Sequence, residues 1–351
     1  MLKSVENVLG MKGGHGDSSY AFNSSVQMNI VQAMKPILER GIYEKTRSSE
    51  NGGGVFRIAD LGCATGWNTL VVAETIVKAV QRSVKEAVPV PVPLPEFEVY
   101  FTDLPSNDFN SLFRMLPSPD DEDDKKPVAK RCYFAAAVCG SHFRRLFPRK
   151  SLHVCHSSLS LHWLSRVPHE CGGVSVYVSS ESAGNAFLQQ FDADLTAFLK
   201  ARAEEMVGGG CMFFTLVGRN AGAHIMKDPG TLGDIALHFN YAFQELVNEG
   251  IIEKEKWESF NIPYFGPNPE EVEGIVKREG SFGIESVRAV GGFPLHPMTE
   301  VRKGEEQMFG NRVAKHYRTL FENIVKAHLG CEQSTDELFS RIAKRAAAKY
   351  E

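Results

Sequence analysis

The sequence has no excess of positive charge: across 351 residues, 39 Lys and Arg stand against 43 Asp and Glu, a formal charge of −4. A polynucleotide partner needs a stripe of cations to displace counterions, so no nucleic-acid ligand is expected. There is also no apolar run approaching the 18 or more residues of a membrane span, and the opening MLKSVENVLGMKGGHGD lacks the apolar stretch of a signal peptide. Neither a membrane partner nor secretion is expected. The seven cysteines are scattered singly, without a C-x-x-C pair, which fits a reducing, cytoplasmic setting better than a disulfide framework or a zinc cage. The absence of G-x-S-x-G sets aside a serine hydrolase, and the absence of H-E-x-x-H sets aside zinc hydrolysis. No internal repeat is found. Apolar residues nevertheless make up 43% of the chain, too many for a disordered one, so most of it is expected to fold.

Between residues 55 and 218, short apolar runs alternate with amphipathic stretches, the pattern of strands and crossover helices in a mostly parallel α/β sheet. Five strands are predicted there: VFRIADL (55–61), FEVYFTD (97–103), CYFAAAV (132–138), SLHVCHS (151–157) and CMFFTLV (211–217). A sixth is expected at FGIESVRAV (282–290). TLVVAETIVKAVQRSV and AFLQQFDADLTAFLKARAEEMV space their apolar residues at three and four, as helices facing a sheet do. SSENGGG, PVPVPLP and the acidic DDEDDKK at 120–126 read as surface linkers. After residue 218 the pattern is mainly helical, with the expected strand 282–290 returning to the sheet, and this part is expected to cover the sheet's ligand edge.

The first strand runs into Asp60-Leu61-Gly62-Cys63-Ala64-Thr65-Gly66, with a helix predicted just beyond. Glycines there allow close backbone approach to a nucleotide, and a helix N-terminus follows. The G-x-G-x-x-G dinucleotide triplet is missing, and a carboxylate before the first glycine would repel a pyrophosphate. The same carboxylate suits S-adenosylmethionine, whose ammonium and sulfonium are both cationic. A second acid, Asp103, closes the second strand in TDLPSNDF, at the carboxyl edge where open α/β sheets bind ligands, and it can accept both ribose hydroxyls.

Six segments in this order resemble one family along nearly the whole chain: MKGGHGDSSYAFNSSVQ (11–27), DLGCATGWN (60–68), TDLPSNDFN (102–110), GSHFRRLFP (140–148), HSSLSLHWLSRVP (156–168) and ESFNIPYF (258–265). The sequence is similar to the plant carboxyl methyltransferases called the SABATH family, which act on salicylate, benzoate, jasmonate and indole-acetate and include caffeine-pathway N-methyltransferases. The resemblance implies a Rossmann-like methyltransferase sheet at 55–218, a helical cap at 219–351 and an N-terminal segment, 1–54, that gates cofactor and substrate. It implies that Tyr20, Ser24, Asp60, Gly62, Cys63, Asn68, Asp103 and Leu104 hold S-adenosylmethionine, with Ser141 and His142 flanking its adenine. His142 stands where the family often has Phe.

By the same resemblance, Gln27 and Trp163 clamp the substrate carboxylate beside His162. An ionised carboxylate is already a nucleophile and is drawn to a sulfonium, so transfer needs alignment rather than a base or a metal. Neutral amide and indole N–H groups can hold its oxygens without the full positive charge that would bind the nucleophile too tightly. Leu159, Leu216, Ile235, Ala236, Phe265, Tyr317 and Leu320 are expected to complete the pocket. Leu159 and Ala236 replace the Tyr and Trp of salicylate-type members, so a roomier cavity, suited to hydroxycinnamate-sized or indole acids, is expected. Glu258, Phe260 and Asn261 match part of a magnesium site found in some members, an optional ion here, with a structural turn as the other reading of ESFN. The family implies a homodimer. N- or S-methylation, and binding without turnover, remain alternatives at this point.

Overall fold

In the computed structural model, which describes residues 6, 8–14, 16–47, 54–87, 93–117, 131–168, 174–175, 180–225, 230–291 and 303–348, five strands form one sheet: β1 (Val55–Leu61), β2 (Glu96–Asp103), β3 (Phe134–Cys139), β4 (Leu152–Ser158) and β5 (Met206–Thr215). Their order is β3-β2-β1-β4-β5, and every pairing is parallel. Strands travel outward from β1 in one direction and from β4 in the other. The crossovers therefore part between these two strands and leave a crevice at their carboxyl ends, where open α/β sheets take ligands.

Alternation along the central strands divides the core between the two faces of the sheet. Phe56 and Ile58 of β1 with Phe97, Val99 and Phe101 of β2 pack with α3 (Trp67–Ala87). Ala59 and Leu61 point the other way, into a larger cluster with α5 (Glu181–Glu205), α6 (Gly230–Asn248), α9 (Glu306–Leu329) and α10 (Glu332–Ala348). The remaining helices are α1 (Tyr20–Asn23), α2 (Ser25–Thr46), α4 (Phe109–Met115), α7 (Lys254–Glu258) and α8 (Pro269–Glu279). Local chemistry marks several ends. Asp108 accepts from the Ser111 N–H to cap α4, Ser180 caps α5, and Asn268 and Glu271 form a reciprocal capping box on α8. Gly310 lets α9 and α10 touch: a Cβ there would lie 2.1 Å from the Ala343 carbonyl oxygen.

Two expectations need correction. Residues 282–290 form no strand: Phe282 and Ile284 are half-buried against the large core, while Val290 is 47% exposed. Among the described residues no strand pairs with this segment, and apolar alternation becomes a ladder only where a partner takes the backbone hydrogen bonds. β5 begins at Met206 rather than 211, because Gly208-Gly209-Gly210, which reads as a turn, lies inside the strand beside a register shift against β4. SSENGGG apart from Gly54, PVPVPLP before residue 93 and DDEDDKK lie outside the described residues. Among the described residues no helix is long and apolar enough to cross a membrane.

Candidate active site

The turn after β1 is strapped to β2: the N–H groups of Gly62 and Cys63 both donate to the Thr102 carbonyl, at 2.7 and 3.0 Å. Gly62 has φ +78, and a Cβ on it would lie 2.4 Å from that of Ser160, so only glycine lets the turn pass under the loop after β4. At the end of β2, Asp103 receives the Ala64 N–H on Oδ2 and the Leu104 N–H on Oδ1, each at 2.7 Å. Each oxygen keeps a further lone pair. Burial pushes the Asp103 carboxyl up to about 6, against the lowering effect of the two N–H donors.

Asp60 is placed differently from its partner acid. Its Oδ1 meets His156 Nδ1 at 2.7 Å and its Oδ2 accepts from the Thr69 hydroxyl. It lines a smaller cavity of about 330 Å³ with Cys63 and Asn68, while Tyr20, Gln27, Gly62 and Leu159 line this and the main cavity alike. Burial raises the Tyr20 phenol and the Cys63 thiol well above their ordinary values, so both stay neutral. Ser24 is buried beside this region, its carbonyl taking the Asn68 amide at 3.4 Å, and lies on neither wall.

The main cavity has an empty volume of about 1170 Å³, its open mouth included, and is lined by Asp103, Leu104, Ser141 and His142. Burial, helped by the Arg202 charge, lowers His142 to about 3, which leaves a neutral imidazole whose Nε2 is buried with no partner among the described residues. His162, Trp163, Ile235 and Leu320 line it too, and Gln27 stands on its wall and on that of the smaller cavity. Gln27 comes from the first turn of α2, and its Oε1 is likewise buried with no partner among the described residues. His162 Nδ1 accepts the Val217 N–H at 3.4 Å, which places the ring proton on Nε2, and burial lowers it to about 4. Trp163 packs 5.6 Å from Phe321 and 6.2 Å from Tyr264.

The loop bearing His162 and Trp163 is held by the last of the six segments. Leu164 N–H donates to the Pro263 carbonyl, Phe265 N–H to that of His162, and Trp163 bridges Tyr264. Leu159, at φ +56, begins this loop. Leu216, Ala236, Phe265 and Tyr317 do not line the cavity; the last three are fully buried in the large core, with Phe265 under the Arg219 guanidinium. Sequence reading missed Leu9, Met11, His316 and Phe321, which the fold brings to the wall from the N-terminal segment and α9. Only the apolar stripe of α9 signals the last, Met11 opens the first of the six segments, and nothing local signals Leu9 or His316.

These surroundings fit S-adenosylmethionine: a glycine turn tolerating no side chain, an acid with spare lone pairs, and a buried His142 Nε2 with no partner among the described residues. The same cavity is also walled by His162, Trp163, Ile235 and Leu320, so an acceptor can lie beside the cofactor in one continuous space. A magnesium ion fits poorly. Glu258 is half exposed and paired with Lys254 at 2.7 Å, whereas Phe260 and Asn261 are buried. Among the described residues no group of three His, Cys, Asp or Glu side chains could hold a metal. Ser259 instead closes α7, its N–H donating to the Glu255 carbonyl, which makes ESFN a turn.

A family model described as "SAM dependent carboxyl methyltransferase" matches residues 6–351. The chain is 37% identical to an indole-3-acetate O-methyltransferase of Oryza sativa, covering 99% of this chain and 89% of that one. It is 36% identical to the salicylate carboxymethyltransferase of Clarkia breweri, over 96% and 92% of the two chains. Among solved structures, loganic acid methyltransferase with SAH superposes with a TM-score of 0.81 at 33% identity, covering 95% of this chain and 91% of the other.

Proposed function

Since the chain belongs to the SAM-dependent carboxyl methyltransferase family, we propose that it esterifies a small aromatic or hydrophobic acid of cinnamate, benzoate or indole-acetate type. One observation carries this reading: a single cavity is walled both by an acid, Asp103, and by neutral polar groups, Gln27, His162 and Trp163. Bound S-adenosylmethionine supplies an electrophilic methyl on a sulfonium. The protein's share is placement. Asp103 accepts the ribose hydroxyls, Ser141 and His142 flank the adenine, and the Tyr20–Asn68 side surrounds the methionine end. Ser24 sits behind that end, and the Asp60 carboxyl, held by His156 and Thr69, lies close to its cationic groups.

Gln27 and Trp163 donate to the acceptor carboxylate, and the Nε2 proton of His162 adds a third neutral donor. A neutral clamp orients the anion without quenching it, and no proton has to leave an ionised acid, so no general base is required. The residue roles rest on the resemblance and on the cavity that gathers most of these side chains. We read the chain as a gating segment (1–54), a cofactor core (55–218) and a cap (219–351), a division taken from the resemblance and compatible with a cavity whose walls come from all three. The family resemblance supports a homodimer, the scattered cysteines a cytoplasmic setting, and the charge balance the absence of a nucleic-acid partner; the lack of a long apolar run supports the absence of a membrane partner.

The test is incubation with methyl-labelled S-adenosylmethionine and a panel of acids, thiols and xanthines. A base-labile label and a gain of one methylene on an acid are expected. Label appearing only on nitrogen or sulfur, or no transfer at all, overturns the reading.

A further inference from the structure

Residues 140–148 carry Ser141 and His142 to the cavity but form no helix or strand. Their backbone groups must find partners elsewhere. Two side chains in the last turn of α5 supply them. Arg202 and Glu205 are both wholly inaccessible to solvent and are joined Nε to Oε2 at 2.7 Å. Arg202 Nη1 donates to the His142 carbonyl at 2.8 Å and Nη2 to that of Arg144 at 2.9 Å. Glu205 Oε1 accepts the N–H of Leu146 at 2.5 Å and of Phe147 at 3.0 Å. Leu146 in turn fills the space where a Cβ on Gly140 would sit, 2.6 Å away, and the Gly140 N–H donates to the Asp103 carbonyl at 2.9 Å.

We propose that the buried Arg202–Glu205 pair is a positioning device for the cofactor end of the cavity, fixing the 140–147 backbone so that Ser141 and His142 stand ready beside Asp103 before any ligand arrives. Apolar replacement of a buried ion pair is often neutral or stabilising, so stability alone does not account for this one. Its geometry does: a planar fork and a two-oxygen acceptor close four backbone groups of one irregular loop at once. The guanidinium also lies 5.2 Å over the Phe198 ring, which meets His142 edge-on at 6.0 Å. The same positive charge contributes to keeping His142 uncharged.

The proposal rests on the cofactor lying at this end, and the experiment separates the two. S-adenosylhomocysteine is titrated calorimetrically into wild type, Arg202→Lys and Glu205→Gln, and KM for each substrate and kcat are measured. Lysine keeps the charge but cannot span two carbonyls and Glu205 together. The Kd for S-adenosylhomocysteine and the KM for S-adenosylmethionine should rise tenfold or more in both variants, with kcat at saturating cofactor and KM for the acid within threefold. A Kd within twofold of wild type in a cooperatively melting variant overturns the proposal, as do equal losses in the acid KM. Should neither variant fold, hydrogen exchange on the unliganded wild type decides. The Leu146 and Phe147 amides should exchange as slowly as those of β1 and β4, and fast exchange of both overturns the idea. Wild type that does not bind S-adenosylhomocysteine sinks the cofactor reading itself, and this proposal with it.

Discussion

Asp103 is the residue whose chemistry is most open to test. Its carboxyl titrates near 6 in the free protein, and only the ionised form offers both oxygens to hydroxyls. Affinity for S-adenosylhomocysteine should therefore be full above pH 7 and fall as pH drops through 6, approaching tenfold per unit. In Asp103→Asn the profile should be flat and binding weaker by about 1–3 kcal/mol at pH 7.5, the scale of charge-assisted hydrogen bonds. Stability has the opposite sign. An acid whose folded pKa is raised binds its proton more tightly when folded, so its contribution favours folding at low pH and is lost as pH rises from about 4 to 6. Measured against Asp103→Asn, wild type should thus gain melting temperature as pH falls from about 6 to 4, and a gap that does not change with pH would refute the raised carboxyl. Trp163→Ala or Gln27→Ala should, by contrast, depress turnover while leaving S-adenosylhomocysteine affinity within a few fold. Equal loss of both would remove these residues from the acceptor side. Asp103, Gln27 and Trp163 were legible because each sits in a dense local motif. His316 and Leu9 were not, since only the tertiary path brings them to the wall.

At the scale of elements, the turn between β1 and α3 and the crossing of α9 with α10 each depend on a missing side chain. Gly62→Ala adds a Cβ 2.4 Å from Ser160 Cβ at a positive φ, and both faults should appear together: destabilisation of about 2–4 kcal/mol and loss of cofactor binding. Gly310→Ala, 2.1 Å from the Ala343 carbonyl, should destabilise by a similar amount. Because the crossing is remote from Asp103, S-adenosylhomocysteine affinity in the folded fraction should be unchanged; thermal melts with calorimetry at low temperature check both. Strand β1 was readable to the residue, its run being bounded by Gly54 and Gly62. β5 was not, because three consecutive glycines imitate a turn until β4 supplies the ladder. Residues 282–290 failed for the converse reason: Phe282 and Ile284 alternate correctly, but no neighbouring described strand pairs with them. Helix α2, which carries Gln27, escaped notice because its apolar positions form no clean stripe around Pro36.

For the whole molecule, the size of the acceptor follows from what surrounds the cavity. Leu159 lines the wall where a bulkier ring is expected in salicylate-type relatives, whereas Ala236 is off the wall and adds no room directly. Cinnamate or indole-acetate should exceed salicylate in kcat/KM, and Leu159→Tyr should shift that ratio toward salicylate; the reverse order in wild type would refute the argument from volume. The walls of the cavity are also built from different architecture. Strand tips and the loop after β3 supply Asp103, Ser141 and His142, while α6 and α9 supply Ile235, Leu320 and Phe321. A lineage could therefore exchange one acid for another by rewriting a few inward-facing helix positions, without disturbing the apparatus that grips the methyl donor. Grafting those positions from a relative is accordingly a rational route to new ester products on this scaffold.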